Sequence, residues 1–175
     1  RVQPGAIYGD LQQILNQHGR YLPPYPSSVA YCTIGGAVAN NACGEHTVKY
    51  GCTRDYVKEL QVVLSNGDCI TTKRLSARQL VQKKNLSNFE GSIYRKLDEL
   101  LTANLALITD APPHVTKNSA GYDLWDIKEK DGSFDLTPLL VGSQRTLGLV
   151  SEILLNTVPM RTDTNIILVN FSNLK

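Results

Sequence analysis

The residues best suited to chemistry lie in Thr33-Ile34-Gly35-Gly36-Ala37-Val38-Ala39-Asn40-Asn41-Ala42-Cys43-Gly44, with three glycines, three alanines and two adjacent asparagines. Side chains this small let main-chain N–H groups approach a ligand. Successive N–H groups in such a turn form an anion-binding concavity, and a following helix N-terminus adds about half a positive charge. A phosphate or diphosphate is the natural guest. A tight turn packed against a neighbouring element would use the same residues. The stretch is no Walker loop, because no Gly-Lys-Ser/Thr follows, and it lacks the spaced glycines of the Rossmann fingerprint. A second cluster, Val141-Gly142-Ser143-Gln144-Arg145-Thr146-Leu147-Gly148-Leu149-Val150, runs directly into a strand-like segment. It is either a second wall of the same site or an ordinary loop.

Other catalytic devices are poorly represented. His18, His46 and His114 are scattered, none at i, i+4 from another histidine or a carboxylate cluster. No serine sits in a G-x-S-x-G elbow, and no carboxylate pair stands out. Cys32, Cys43, Cys52 and Cys69 form no C-x-x-C pair, so they read as reduced thiols packed as small hydrophobes rather than as zinc or iron–sulfur ligands. An enzyme built on this chain would draw its chemistry from a cofactor.

The elements that must position these clusters are partly legible. Ile7, Leu11, Ile14 and Leu15 recur at helical spacing and Gly19 supplies a stop, predicting one helix. Pro23, Pro24 and Pro26 then forbid a helix or a central strand and predict an extended surface or cleft-lining connector. Residues 57–72 read as a β-hairpin, with Leu60, Val62 and Leu64 on one face and Asn66-Gly67 as a type I′ turn. Ser76-Ala77-Arg78-Gln79 resembles a capping box opening a short helix. A further helix is predicted from about Ser92 through Ile93, Leu97, Leu100, Leu101 and Leu105. Strands are predicted over 149–158 and 165–171, separated by Pro159. Hairpins with interposed helices favour an α+β domain with a mainly antiparallel sheet flanked by helices.

Length and charge narrow the classes. At 175 residues the chain supports one domain with a core, or one and the beginning of another. Eighteen Lys and Arg against sixteen Asp and Glu give a net charge of +2, with no like-charge block to suit nucleic acid or a polybasic membrane surface. No apolar run reaches the roughly 18 residues of a membrane span, and the first residues are no signal peptide. The expectation is a soluble, cytoplasmic protein. The chain starts without Met inside sequence that reads as structured, which predicts a larger parent.

The motifs together resemble a family. Pro24-Tyr25-Pro26-Ser27-Ser28, Cys32-Thr33-Ile34-Gly35-Gly36, Asn40-Asn41-Ala42-Cys43-Gly44, Lys49-Tyr50-Gly51 and Arg54-Asp55-Tyr56-Val57 resemble, in this order, the FAD-binding domain of the vanillyl-alcohol oxidase and p-cresol methylhydroxylase (PCMH) superfamily. The glycolate oxidase and D-lactate dehydrogenase branch is the nearest likeness. Lys117-Asn118-Ser119-Ala120-Gly121-Tyr122-Asp123-Leu124 and Gly142-Ser143-Gln144-Arg145-Thr146-Leu147-Gly148 extend it.

The resemblance implies a non-covalent FAD site in the larger subdomain of an FAD-dependent oxidoreductase that oxidises a small 2-hydroxy acid by hydride transfer to flavin. It implies that Pro26, Ser27, Ser28 and Cys32 line the cofactor, that Thr33, Ile34, Gly35 and Gly36 bring backbone close to it, and that Ala39, Asn40, Asn41, Ala42 and Gly44 follow at its polar part. Gln144, Gly148 and Val150 would close the site from another side. Lys117 is the nearest candidate for the substrate carboxylate, against a solvated surface lysine. Tyr122 would border the flavin, against a half-buried aromatic. Residues 1–159 would be the second FAD subdomain, and 160–175 the start of a substrate-covering cap domain. The first FAD subdomain and the cap domain would lie elsewhere in the parent chain, leaving this fragment inactive alone. The rival reading is a non-catalytic nucleotide-binding module of the same fold. Arg145 stands where the family has glycine; in a left-handed backbone it would cost about 1–2 kcal/mol, and the expectation is weakened FAD binding.

Overall fold

Alternating apolar residues after position 56 produce the centre of the fold in the computed structural model, which describes residues 1–115, 117–161, 167–171 and 173. Strand β2 is preceded by helix α1 (Tyr8–Gln17), a short strand β1 (Arg20–Tyr21) and two short helices, α2 (Ile34–Ala39) and α3 (Thr47–Tyr50). β2 (Val57–Val63) pairs antiparallel with β3 (Cys69–Thr72) and, on its other side, with β4 (Leu149–Leu155). Leu60 and Val62 are buried and Gln61 between them is exposed, the period of a strand with one face on a core. The antiparallel sheet and its flanking helices make this an α+β fold, as the sequence predicts.

The hairpin forms, but through a different turn. The Leu64 amide donates to the Asp68 carbonyl at 2.8 Å and the Gly67 amide to the Leu64 carbonyl at 2.9 Å. Within the loop only Gly67 is left-handed, at φ 86°. This is a type I turn followed by a left-handed glycine, the pattern of three-residue hairpin loops, whereas type I′ would need Asn66 left-handed as well. The Asn66 side chain instead accepts from the Asp68 amide at 3.1 Å.

α1 ends where predicted, with Gly19 at φ 65° beyond it. The proline connector is extended, but Leu22, Pro23 and Pro24 are buried under the domain rather than on its surface. α4 (Ala77–Lys84) opens on the predicted reciprocal cap, Ser76 Oγ accepting from the Gln79 amide and Gln79 Oε1 from the Ser76 amide. α5 (Phe89–Ala103) starts earlier than Ser92 because the Asn88 side chain accepts from the Gly91 amide at 3.0 Å and caps it there. It breaks at Asn104, and α6 (Leu105–Asp110) continues separately. α7 (Thr137–Leu140) precedes the second glycine cluster.

The strand predicted over 149–158 is divided. β4 ends at Leu155, where the Asn156 amide turns to the Tyr56 carbonyl at 2.7 Å, and β5 (Val158–Pro159) pairs with β1 instead. Of the strand predicted over 165–171, residues 167–171 carry none and are exposed; Asn165 and Ile166 lie outside the described residues. All four cysteines are free. Cys32, Cys43 and Cys52 are half-buried, whereas Cys69 is exposed at the start of β3, against the packing reading for that thiol. Among the described residues, no helix is long and apolar enough to cross a membrane.

Two apolar clusters fill the interior. One gathers Tyr8, Leu22, Ile34, Val38, Leu60, Val62 and Ile153 under the sheet, and the other Leu80, Tyr94, Leu101, Ile127 and Phe134 between α4, α5 and the loop after residue 124. The glycine-rich stretch lies on the first.

Candidate functional site

α2 exists because Thr33 caps it. The Thr33 hydroxyl accepts from the Gly36 amide at 3.0 Å, while Ile34, Ala37 and Val38 turn their side chains into the core. Gly35 is required by contact: a Cβ there would lie 2.6 Å from the Pro4 Cβ and 2.9 Å from the Pro4 carbonyl oxygen. Gly36 faces the other way, and a Cβ there would meet only the Thr33 hydroxyl, at 3.2 Å.

The second glycine cluster docks on the C-terminal end of α2. The Gly142 amide donates to the Val38 carbonyl and the Gln144 amide to the Ala39 carbonyl, both at 2.9 Å. These bonds satisfy carbonyls that a helix end leaves without partners. They also hold a run of left-handed residues, Gly142 at φ 89°, Gln144 at φ 50° and Arg145 at φ 66°. Thr146 Oγ1 donates to the Ser143 carbonyl and lies 2.7 Å from the Tyr122 hydroxyl, tying the loop around residue 122 to the same wall.

Between the two clusters lies a cavity of about 240 Å³. Thr33, Gly35, Gly36 and Ala39 line one side, and Ser143, Arg145, Gly148 and Val150 the other, with Pro4 at its edge. The second cluster thus lines the same cavity as the first. Arg145, Gly148 and Leu149 also border an apolar groove of about 630 Å³ lined by Leu64, Ile70, Phe89, Ile93 and Leu140. The smaller cavity falls below the roughly 300–1,000 Å³ of a site that encloses a drug-sized ligand, so this chain presents a wall rather than an enclosure.

The expected row of free main-chain donors is corrected by the structure. The amides of Ile34, Gly35, Gly36 and Ala37 donate to the Ala6 carbonyl, the Pro4 carbonyl, the Thr33 hydroxyl and the Thr33 carbonyl. A helical turn and an antiparallel bridge to Ile7 engage the N–H groups that an open anion-binding turn would present. What the small residues supply at the cavity is close approach.

Of the residues predicted for the site, Thr33, Gly35, Gly36, Ala39, Gly148 and Val150 line the cavity. Pro26, Ser27 and Ser28 lie away from it in a turn that ends at Cys32, where the Ser28 carbonyl accepts from the Cys32 amide at 2.9 Å. Cys32 packs against the core, and the Ile34 side chain is buried at 1% exposure. Asn40 is exposed, and Ala42 is half-buried off the cavity. Gly44 fits beneath the Tyr25 carbonyl, and Gln144 is exposed with its amide on Ala39. Asn41 has a different task. Fully buried and left-handed at φ 45°, it accepts from the Arg54 amide at 2.9 Å and donates to the Asn118 carbonyl at 3.4 Å. Lys117 is exposed, and Tyr122 is exposed with its hydroxyl on Thr146.

One pair escaped sequence reasoning. Arg54 Nη1 lies 2.9 Å from Asp123 Oδ2, with Asp123 fully buried, and Arg54 Nη2 donates to the Val141 carbonyl at 3.2 Å. The 3-10 turn before β2, the loop around residue 122 and the second glycine cluster are thereby joined. Both residues stand inside motifs visible in the sequence, but nothing in their spacing, 54 against 123, signals contact.

Asp126 packs beside this pair, its amide donating to Asp123 Oδ1 at 3.1 Å. The residue is exposed as a whole, yet loss of water around its carboxyl, then the Asp123 charge and hydrogen bond, push its pKa up to about 6. Burial also raises Asp135 nearby. A carboxyl raised in the folded state binds more protons there than in the unfolded chain. Its stabilisation is therefore complete below the unfolded value near about 3.9 and is lost as pH rises through about 6. Asp126→Asn is expected to flatten the fall in unfolding free energy between pH 4 and pH 6, read by urea titration at several pH values; an unchanged slope would contradict it. Among the described residues, no group of three or more His, Cys, Asp or Glu could hold a metal ion.

Residues 1–73 match the family described as FAD binding domain. A D-2-hydroxyglutarate dehydrogenase of Pseudomonas putida is 32% identical over 160 residues, covering 91% of this chain and 16% of its own length. A glycolate oxidase subunit GlcD of Bacillus subtilis is 32% identical over 173 residues, 99% of this chain and 26% of that protein. A D-lactate dehydrogenase of Anaerostipes hadrus is 29% identical over 175 residues, 100% of this chain and 26% of that protein. The chain thus spans about a sixth to a quarter of these relatives' length. Among solved structures, an alkyldihydroxyacetonephosphate synthase superposes with a TM-score of 0.50 at 16% identity, covering 92% of this chain and 19% of that one; at that identity the likeness concerns fold alone.

Proposed function

We propose that this chain, whose residues 1–73 match the family described as FAD binding domain, forms one wall of a non-covalent FAD site in a longer oxidoreductase acting on a small 2-hydroxy acid. The observation that carries the reading is the meeting of the two glycine clusters on one cavity, which Gly36 lines with no side chain of its own. Thr33, Gly35, Gly36 and Ala39 would lie along one side of the cofactor, and Gly148 and Val150 along the other. Bound FAD would supply the acceptor for a hydride from the substrate C–H. The chain's own contribution is position: the backbone of α2 and a second wall clamped to its C-terminal end. Within this reading residues 1–159 form the second subdomain and 160–175 begin the cap domain. Tyr122 borders the cofactor, Lys117 is the candidate for the substrate carboxylate, and the compartment is the cytoplasm. A non-catalytic nucleotide-binding module would retain flavin without turnover.

Gly36→Val tests the site. In the full-length protein it is expected to abolish flavin retention, read from the visible absorption of the purified protein, because the isopropyl group would enter the space facing the cavity. Undiminished flavin would remove α2 from the site. Bleaching of bound flavin by D-2-hydroxyglutarate, glycolate or D-lactate tests the reaction, and a flavin that none of them bleaches favours the non-catalytic module.

A further inference from the structure

The cavity has one charged lining residue, Arg145. Its backbone is left-handed at φ 66°, a conformation disfavoured for any residue with a Cβ. Its guanidinium has no hydrogen-bond or ion-pair partner among the described residues. It stands where the small cavity and the apolar groove meet, bordering both. Strain held at a cavity lip is characteristic of functional positions, and here the strained residue carries the only positive charge among the described residues lining the cavity, on a wall whose N–H groups at residues 34–37 are engaged internally.

We propose that Arg145 is a phosphate-binding residue, its guanidinium holding the diphosphate of the dinucleotide that this wall faces. The assignment rests on the FAD reading above and deepens it. It also reverses the expectation from sequence that an arginine here only weakens binding. The planar fork of a guanidinium matches phosphate oxygens in a two-point contact, and charge-assisted bonds of this kind are roughly twice as strong as neutral ones. A dinucleotide crossing from cavity to groove would carry its charge past Arg145 and leave its apolar ring system to Leu64, Phe89 and Leu140.

The test uses the full-length protein, stripped of flavin and titrated with FAD by fluorescence quenching at low and high salt. Wild type is expected to bind FAD with an affinity that falls as salt rises. Arg145→Gln and Arg145→Gly are expected to lose about tenfold or more in affinity and most of that salt dependence, while Arg145→Lys keeps part of both. Arg145→Gly is also expected to raise the melting temperature of the flavin-free protein by relieving the left-handed backbone, so affinity and stability move in opposite directions. Unchanged or tighter FAD binding by Arg145→Gly and Arg145→Gln, with wild type binding FAD, would overturn the role of Arg145 and leave the FAD site standing. A wild-type protein that binds no FAD at either salt would overturn the site and this role together.

Discussion

Replacing Arg54 with alanine is expected to destabilise the fold by about 3–5 kcal/mol, the range for removing one partner of a buried ion pair. Asp123 is fully buried and has its cation 2.9 Å away; without Arg54 its charge would be left uncompensated. The Val141 carbonyl would lose a donor at 3.2 Å in the same step. Both losses fall on the structure that holds the second glycine cluster against α2, so flavin retention should fail alongside stability. Urea unfolding of wild type and Arg54→Ala measures the first effect; a loss under about 1 kcal/mol would place this pair with exposed ones of little consequence. Arg54→Met with Asp123→Leu makes the useful control, since replacing both charges by apolar groups can be neutral where removing one is not.

The second large effect separates glycines that serve the fold from glycines that serve the site. A Cβ on Gly44 would lie 1.8 Å from the Tyr25 carbonyl oxygen, a backbone atom that cannot swing away as the end of a flexible side chain could. Gly44→Ala therefore forces the loop off the proline connector and is expected to cost about 1–3 kcal/mol, the range for overpacking, or more. Gly36→Ala meets only the Thr33 hydroxyl at 3.2 Å, from inside a helix where alanine is favoured by up to about 1 kcal/mol over glycine. Its stability should differ little from wild type. Thermal melts of the two variants check the contrast, and equal destabilisation of both would contradict it.

Local signals are legible in the sequence. The Ser76 and Gln79 cap, the helix over Tyr8–Gln17 and the pairing of Val57–Val63 with Cys69–Thr72 each depend on neighbours within a few residues, which periodicity and side-chain type record. What failed needed tertiary information. Whether the amides around residue 35 face a ligand depends on Pro4 and Ala6, nearly thirty residues earlier in the chain, which accept from them. The turn at Asn66 depends on a choice between two loops with the same residues, decided by the pairing of Leu64 with Asp68. For the site, the two glycine clusters are recognisable separately, but nothing in their spacing says whether they meet on one cavity or only turn the chain. The roles of Asn41 and Asp123 were hidden because burial, not residue type, makes them what they are: a buried left-handed asparagine and a buried aspartate look in sequence like any turn polar residue.

The interior is divided, and the division has a dynamic meaning. Ile93 of α5 packs against both apolar clusters, yet the cavity walls are built on the first, while α4 and most of α5 close over the second. Segments with separate cores open as separate cooperative units. The layer of α4 and α5 can therefore breathe, exchanging its amide protons with solvent, while the backbone that lines the cavity keeps its shape.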